Sequence, residues 1–307
     1  MEPMKRPYEY IVEKIPLEEV LADTNKEFFN SNNHRLEDQE KPDDYTFRNQ
    51  STQLEYWISS FRNNYKLIEI TNKNDLTMLR NLAKLYLQTN HFSAMIKEEL
   101  QDLTEKYEKL YDHLDLSKGY FIRAENVSLK YGIHKNKPYS SIQQIFESSV
   151  TCPPEHSPIF NDNPNLIRFY LFPWMEVNHS REFRVFVHQS QITAISQQFL
   201  HEKNEFLSNI VDEDERIQVI HQWMDSLIEY YDKDIKGKIT HITEFSMDMA
   251  ILEDNQPYLI EINPFGKEYS AGSALFHWLR DETKLYRNQP LNVASNDSLI
   301  VYFRYTV

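Results

Sequence analysis

The run Tyr258-Leu259-Ile260-Glu261-Ile262-Asn263-Pro264-Phe265-Gly266 follows Phe245-Ser246-Met247-Asp248-Met249 at hairpin distance. Alternate residues of a strand share a face, so Glu261 and Asn263 point one way and Ile260 and Ile262 the other. Upstream, Met247, Met249 and Ile251 make the apolar face and leave Asp248 on the opposite one with Ser246 and Ala250. A two-residue turn at Asp254-Asn255 sets Asp248 directly opposite Glu261. Pro257 is a point at which that register can slip by one residue. Like charges across a ladder repel, on the order of 3 kcal/mol at about 5 Å and an effective dielectric of about 20. A hard divalent cation removes the conflict, because Mg²⁺ takes carboxylate and amide oxygens and completes its shell with phosphates and water. Asp248, Glu261 and Asn263 are therefore the candidate metal ligands. A solvent-facing hairpin edge kept soluble by its acids explains the same spacing more plainly.

A polyphosphate needs cations, and Arg123, Lys130 and Arg184 stand at suitable places. Arg123 ends the strand Tyr120-Phe121-Ile122, and Lys130 lies in the loop Ser128-Leu129-Lys130-Tyr131-Gly132. Arg184 shares a strand face with Glu182, opposite Phe183 and Val185. A structural ion pair between Glu182 and Arg184 is the competing explanation. Phe172-Pro173-Trp174-Met175 suits a hinge that meets a flat base, or an ordinary buried aromatic turn.

Only five glycines occur, and none forms G-x-G-x-x-G or a Walker loop, which excludes those nucleotide sites. No Ser-His-Asp, G-x-S-x-G or H-E-x-x-H pattern is present, and the histidines, among them His179, His188 and His277, show no metal spacing. The single cysteine, Cys152, allows no internal disulfide and suits a reducing compartment. A net charge of −14 argues against a general nucleic-acid or anionic-membrane surface. No apolar run is long enough for a membrane span, and Met1 to Pro7 has no secretory-signal pattern, so a soluble cytoplasmic protein is expected.

At 307 residues the chain has room for one large or two moderate domains. Residues 1–118 read as a mainly helical region with a mobile loop near 25–49, and residues 119–307 as the part with chemistry. Strands are expected at Tyr65 to Ile70, Tyr120 to Arg123, Leu166 to Phe172, Glu182 to His188, Ile192 to Gln198 and Leu299 to Arg304. The main helices are expected at Asn74 to Leu87, His91 to His113, Asp212 to Tyr231 and Ala271 to Leu285. Mostly hairpin-connected strands with helices between imply an α+β fold with largely antiparallel sheets.

The blocks Arg181 to Val187, Ile192 to Gln197, Met247 to Ala250 and Leu259 to Gly266 resemble the cell-division-cycle protein 123 family, a branch of the ATP-grasp superfamily. The resemblance covers roughly Gly119 to Leu285. It implies an ATP clasped between a first lobe at about 119–172 and a second at about 173–307, with Mg²⁺ bridging its phosphates. By resemblance Glu261 and Asn263 match the metal-binding acid-x-Asn pair, Asp248 the acid on the preceding strand, and Arg184 and Lys130 the cations at the transferring phosphate. Arg123, Pro173, Trp174, Met175 and Glu182 complete the expected nucleotide contacts. Glu261 stands where the eukaryotic assembly proteins look like they carry Asp, a version that resembles ATP-grasp ligases at large, and the tail Glu268 to Trp278 looks closer to bacterial relatives.

The leading expectation is an ATP-grasp enzyme that activates a carboxylate-bearing substrate as an acyl phosphate for a ligase reaction. The alternative is an ATP-dependent assembly chaperone of a translation initiation factor, without ligase turnover. A nucleotidyl transferase or nucleic-acid ligase ranks below these, as does a degenerate scaffold that only binds a partner.

Overall fold

The structure, a computed structural model, describes residues 8–31, 42–62, 64–160, 165–269, 271–287 and 299–307. In chain order the elements begin with β1 (Tyr8–Ile15), α1 (Leu17–Ala22), α2 (Tyr45–Ser51), α3 (Leu54–Phe61), β2 (Lys66–Ile70), α4 (Lys73–Thr89), α5 (Ala94–Leu110) and β3 (Tyr120–Arg123). Then come α6 (Ile142–Thr151), β4 (Ile167–Pro173), β5 (Glu182–His188), β6 (Gln191–Gln197), α7 (Glu205–Ser208) and α8 (Glu213–Tyr230). The hairpin β7 (Phe245–Ile251) and β8 (Pro257–Pro264), the short α9 (Glu282–Leu285) and β9 (Leu299–Thr306) complete the chain. The expected α+β class with largely antiparallel sheets is present.

The chain forms two compact units, Met1–Trp57 with Val177–Val307, and Ile58–Glu176. They part at 57/58 and 176/177, whereas the sequence suggests 118/119 and 172/173. In the first unit six strands run in the order β1-β9-β6-β5-β7-β8, with β9 parallel to β1 and β6 and the other pairs antiparallel. One face of this sheet is apolar: Phe303, Ile195, Val185, Met247 and Ile262 stand in register across five strands, all buried. Helix α8 supplies the same unit with Ile220, Trp223, Met224, Leu227 and Ile228, and Trp223 meets the Phe183 ring at 5.4 Å. Each such side chain contributes about 1.5–3 kcal/mol when fully buried. Asp212 caps the helix by accepting from Glu215 N at 2.9 Å, ahead of an acidic first turn that suits the helix dipole.

The second unit is the three-stranded antiparallel sheet β2-β4-β3. Its core joins Ile68, Leu79, Ile96, Leu100, Phe146 and Phe169 from strands and helices α4, α5 and α6. Ser141 caps α6, its Oγ accepting from Gln144 N at 3.2 Å. Cys152 lies in this core, and burial pushes its thiol up to about 12.

Three elements differ from the sequence reading. Strand β1 lies in the region expected to be mainly helical, and α2 falls in the expected loop at 25–49. Residues 32–41 of that loop, and the N-terminal residues 1–7, lie outside the described residues. The expected helix from Ala271 to Leu285 is instead a chain of turns ending in α9. Ala274 through Trp278 are all buried, whereas a surface helix buries only one stripe. Local side-chain bonds replace the helical ladder. Ser273 Oγ donates to Phe276 O at 2.6 Å, Asp281 Oδ2 accepts from His277 N at 2.9 Å, and His277 Nδ1 accepts from Leu279 N and Arg280 N. No helix among the described residues is long and apolar enough to cross a membrane.

Candidate functional site

The acidic hairpin is present, with a different turn. Leu252 N donates to Gln256 O and Asn255 N to Leu252 O, both at 2.9 Å, and Asn255 takes a left-handed φ of 62°. The connection is therefore the three residues 253–255 rather than Asp254-Asn255 alone, which pairs Ile251 with Pro257 instead of Tyr258. A bulge then corrects the register: Met249 pairs with Leu259, Asp248 with Glu261, and Ile260 is the extra residue. The bulge puts both Leu259 and Ile262 into the core and leaves Ile260 half-buried.

On the sheet face opposite the apolar row, register partners line up as Glu13, Arg304, Ser196, Arg184, Asp248 and Glu261, one from each strand. Arg184 grips Asp248 as a fork, Nε to Oδ1 at 2.8 Å and Nη2 to Oδ2 at 2.9 Å, and Nη1 donates to Gly272 O at 2.5 Å. Burial works against the guanidinium charge, but Asp248 first, then Glu261 and Glu182, raise the Arg184 pKa above its ordinary value. The fork on Arg184 comes from Asp248 across the strands, and Glu182, its neighbour on the same face, adds its charge. The fold thus provides its own cation for Asp248, so like-charge repulsion by itself does not require a metal here.

A different observation bears on this end of the row. Ser246, in register with Asn263 and two residues from Asp248, is fully buried, and its Oγ has no hydrogen-bond partner. The same is true of Asn263 Nδ2 and of Gln198 Oε1, although Gln198 Nε2 donates to Asp248 Oδ2 at 3.3 Å. Among the described residues, no group of three or more His, Cys, Asp or Glu side chains is placed to hold a metal. The donor set of Asp248 and Glu261 carboxylates with the Asn263 amide nevertheless fits a small hard cation that keeps several waters.

Arg123, Lys130, Pro173, Trp174 and Met175 belong to the second unit. Arg123 is buried at the end of β3, opposite Tyr170. Lys130 is exposed on a single 3-10 turn, 5.4 Å from the Tyr131 ring. That loop is fixed to α6: Tyr139 donates to Leu129 O at 3.0 Å and Ser148 Oγ at 2.9 Å, and Ile133 N donates to Thr151 Oγ1 at 2.9 Å. Gly132 is required there, since a Cβ would sit 2.6 Å from Ser148 backbone atoms. Pro173 ends β4 opposite Tyr120, and Trp174 N continues the pairing to Gly119 O at 3.1 Å. Met175 is half-buried. Sequence reasoning missed Ser246 and Gln198, and it missed the Arg304 centre, whose partners Glu13 and Asp281 are far off in the chain.

A family model described as D123 matches residues 142–296, half of the chain. The chain belongs to the D123 family. Over 105 residues it is 31% identical to a "Translation initiation factor eIF2 assembly protein" of Dictyostelium discoideum, covering 34% of this chain and 24% of that one. Over 110 residues it is 34% identical to the protein of the same name from Candida albicans, covering 36% and 29%. The chain thus spans roughly a quarter of the length of these curated relatives. Both come from eukaryotes, which runs against the expected bacterial affinity. The structure of Cdc123 from Schizosaccharomyces pombe superposes with a TM-score of 0.53 at 18% identity, covering 84% of this chain and 97% of that one. This D123-family chain therefore shares the Cdc123 fold.

Proposed function

We propose that this protein is an ATP-dependent assembly factor for a translation initiation factor, with a magnesium nucleotide held at the Arg184–Asp248–Glu261–Asn263 end of the sheet. The assembly role rests on the name shared by the two curated relatives, which favours it over ligase turnover on a carboxylate substrate. The single structural observation in support of the ligand is the group of buried, unsatisfied polar atoms beside Asp248. Buried polar groups without partners are rare and cost about 1–3 kcal/mol each, which a bound ligand recovers.

In this reading Asp248, Glu261 and Asn263 hold the cation, and the cation offsets the negative charge of the phosphates. Arg184 has two duties: it orients Asp248 and presents a charged, buried guanidinium toward the phosphate side of the same row. Glu182 adds negative potential on that face and keeps Arg184 ionised. The net charge of −14 suits a basic protein partner, and a cytoplasmic location follows from the assembly role.

Calorimetric titration of ATP with and without Mg²⁺, followed by binding of purified eIF2 and its separate subunits with and without ATP, tests this. The reading expects Mg²⁺-dependent nucleotide binding and an eIF2 complex that ATP strengthens. ATP turnover driven by a small carboxylate or amine, with no eIF2 complex, would return the ligase reading to first place.

A further inference from the structure

The three unsatisfied atoms beside Asp248 differ in what they offer. Asn263 Nδ2 is a donor, Gln198 Oε1 is an acceptor, and the Ser246 hydroxyl is either. Ser246 and Asn263 face one another across β7 and β8, and Gln198 reaches the same carboxylate from the end of β6. Ser246 stands in register with Phe186 on its other side, in a setting where alanine would pack at no polar cost. Gln198 spends one end of its amide on Asp248 and leaves the other end without a partner.

A hydrated cation on a polyphosphate presents the complementary groups. Its water ligands are strong donors, which suit Gln198 Oε1, and phosphate oxygens are acceptors, which suit Asn263 Nδ2 and Ser246 Oγ–H. The geometry points to Ser246 and Gln198 as positioning residues of this site, bonded to the waters and phosphate oxygens around the cation rather than to the cation itself. This inference rests on the nucleotide reading above. It adds that the chain itself places the shell outside the direct ligands, through side chains whose polar atoms have no partner within the protein.

Ser246→Ala and Gln198→Met keep the volume nearly constant and remove the unsatisfied atoms, Gln198→Met together with the amide donor to Asp248. Thermal unfolding of the full chain, alone and with Mg²⁺ and ADP, together with ADP titration in Mg²⁺ and in chelator, gives the readouts. Ser246→Ala is expected to unfold no earlier than the unaltered protein without ligand. In both variants the stabilisation by Mg²⁺ and ADP is expected to shrink and the Mg²⁺-dependent part of the ADP affinity to fall about tenfold, with the affinity in chelator unchanged. If the unaltered protein is stabilised by Mg²⁺ and ADP and both variants are stabilised equally, the inference fails and the nucleotide reading stands. Earlier ligand-free unfolding of Ser246→Ala with full ligand stabilisation would show a structural role instead. No stabilisation of the unaltered protein would remove the nucleotide reading itself.

Discussion

The charged row across the six-stranded sheet contains two arginine centres, and they differ in completeness. Arg304 is held by Glu13 Oε2 at 2.5 Å, by both oxygens of Asp281 at 2.7 Å and by Leu275 O at 3.0 Å, and Lys284 neutralises the other Glu13 oxygen at 2.5 Å. Two cations meet two carboxylates there, and none of these side chains has a buried polar atom without a partner. Arg184 stands two strands away in the row, with an equally good fork to Asp248. Around it lie the unsatisfied atoms of Ser246, Asn263 and Gln198. The same residue types in the same register thus make a structural tie at one end, joining the first and last strands. At the other end they leave three polar atoms without a partner in the protein. The two are told apart by hydrogen-bond completeness, since charge alone looks alike in both.

The largest expected effect separates the two centres by stability. Asp281→Ala strips the fork from buried Arg304 and is expected to cost about 3–5 kcal/mol in urea unfolding, without regard to nucleotide. Asp248→Ala comes next. It leaves buried Arg184 without its carboxylate, so a loss of roughly 3 kcal/mol accompanies the loss of Mg²⁺-dependent ADP binding, and the fold is not spared. Equal urea midpoints for Asp248→Ala and the unaltered chain would show that the Arg184 fork carries no stability. Glu261→Gln is the cleaner variant: stability is expected to stay within about 1 kcal/mol while calorimetry records a fall of tenfold or more in Mg²⁺-dependent affinity. The smallest effect is one of pH. Burial raises the Glu13 pKa, but hydrogen bonds from Lys284 and Arg304 outweigh it and the net direction is downward. Its contribution is therefore fully present above the unfolded carboxylate value of about 4.5 and is lost as pH falls through the lowered folded value. Glu13→Gln should flatten the stability profile in that acid window, and an unchanged slope would contradict the ion-pair account of this centre.

The Asp248–Glu261 pairing was legible in the sequence because alternation fixes faces, and Pro257 gave notice that the register was open. The three-residue turn and the bulge at Ile260 shift the register by one in opposite senses, so the pairing survives a wrong turn. Helix α8 was equally readable, since its acidic start and the apolar spacing that follows are local signals. Strand β1 was not, because its partner β9 lies at the other end of the chain and its pairing leaves no local mark. The stretch from Ala271 to Leu285 misled for a related reason. Its apolar residues mimic a helical stripe, yet they are buried at successive positions by turns that Ser273, His277 and Asp281 stabilise. Ser246 and Gln198 carried no signal in their type or spacing, because an unsatisfied atom is visible only once every neighbour is placed.

Calorimetric titration of ADP into the unaltered chain and Glu261→Gln, each with Mg²⁺ and with chelator, tests most directly whether the Arg184 end of the row is a magnesium nucleotide site. The account predicts Mg²⁺-dependent binding in the unaltered chain and its loss in Glu261→Gln at unchanged unfolding temperature. Equal affinities in the two proteins under both conditions would contradict it.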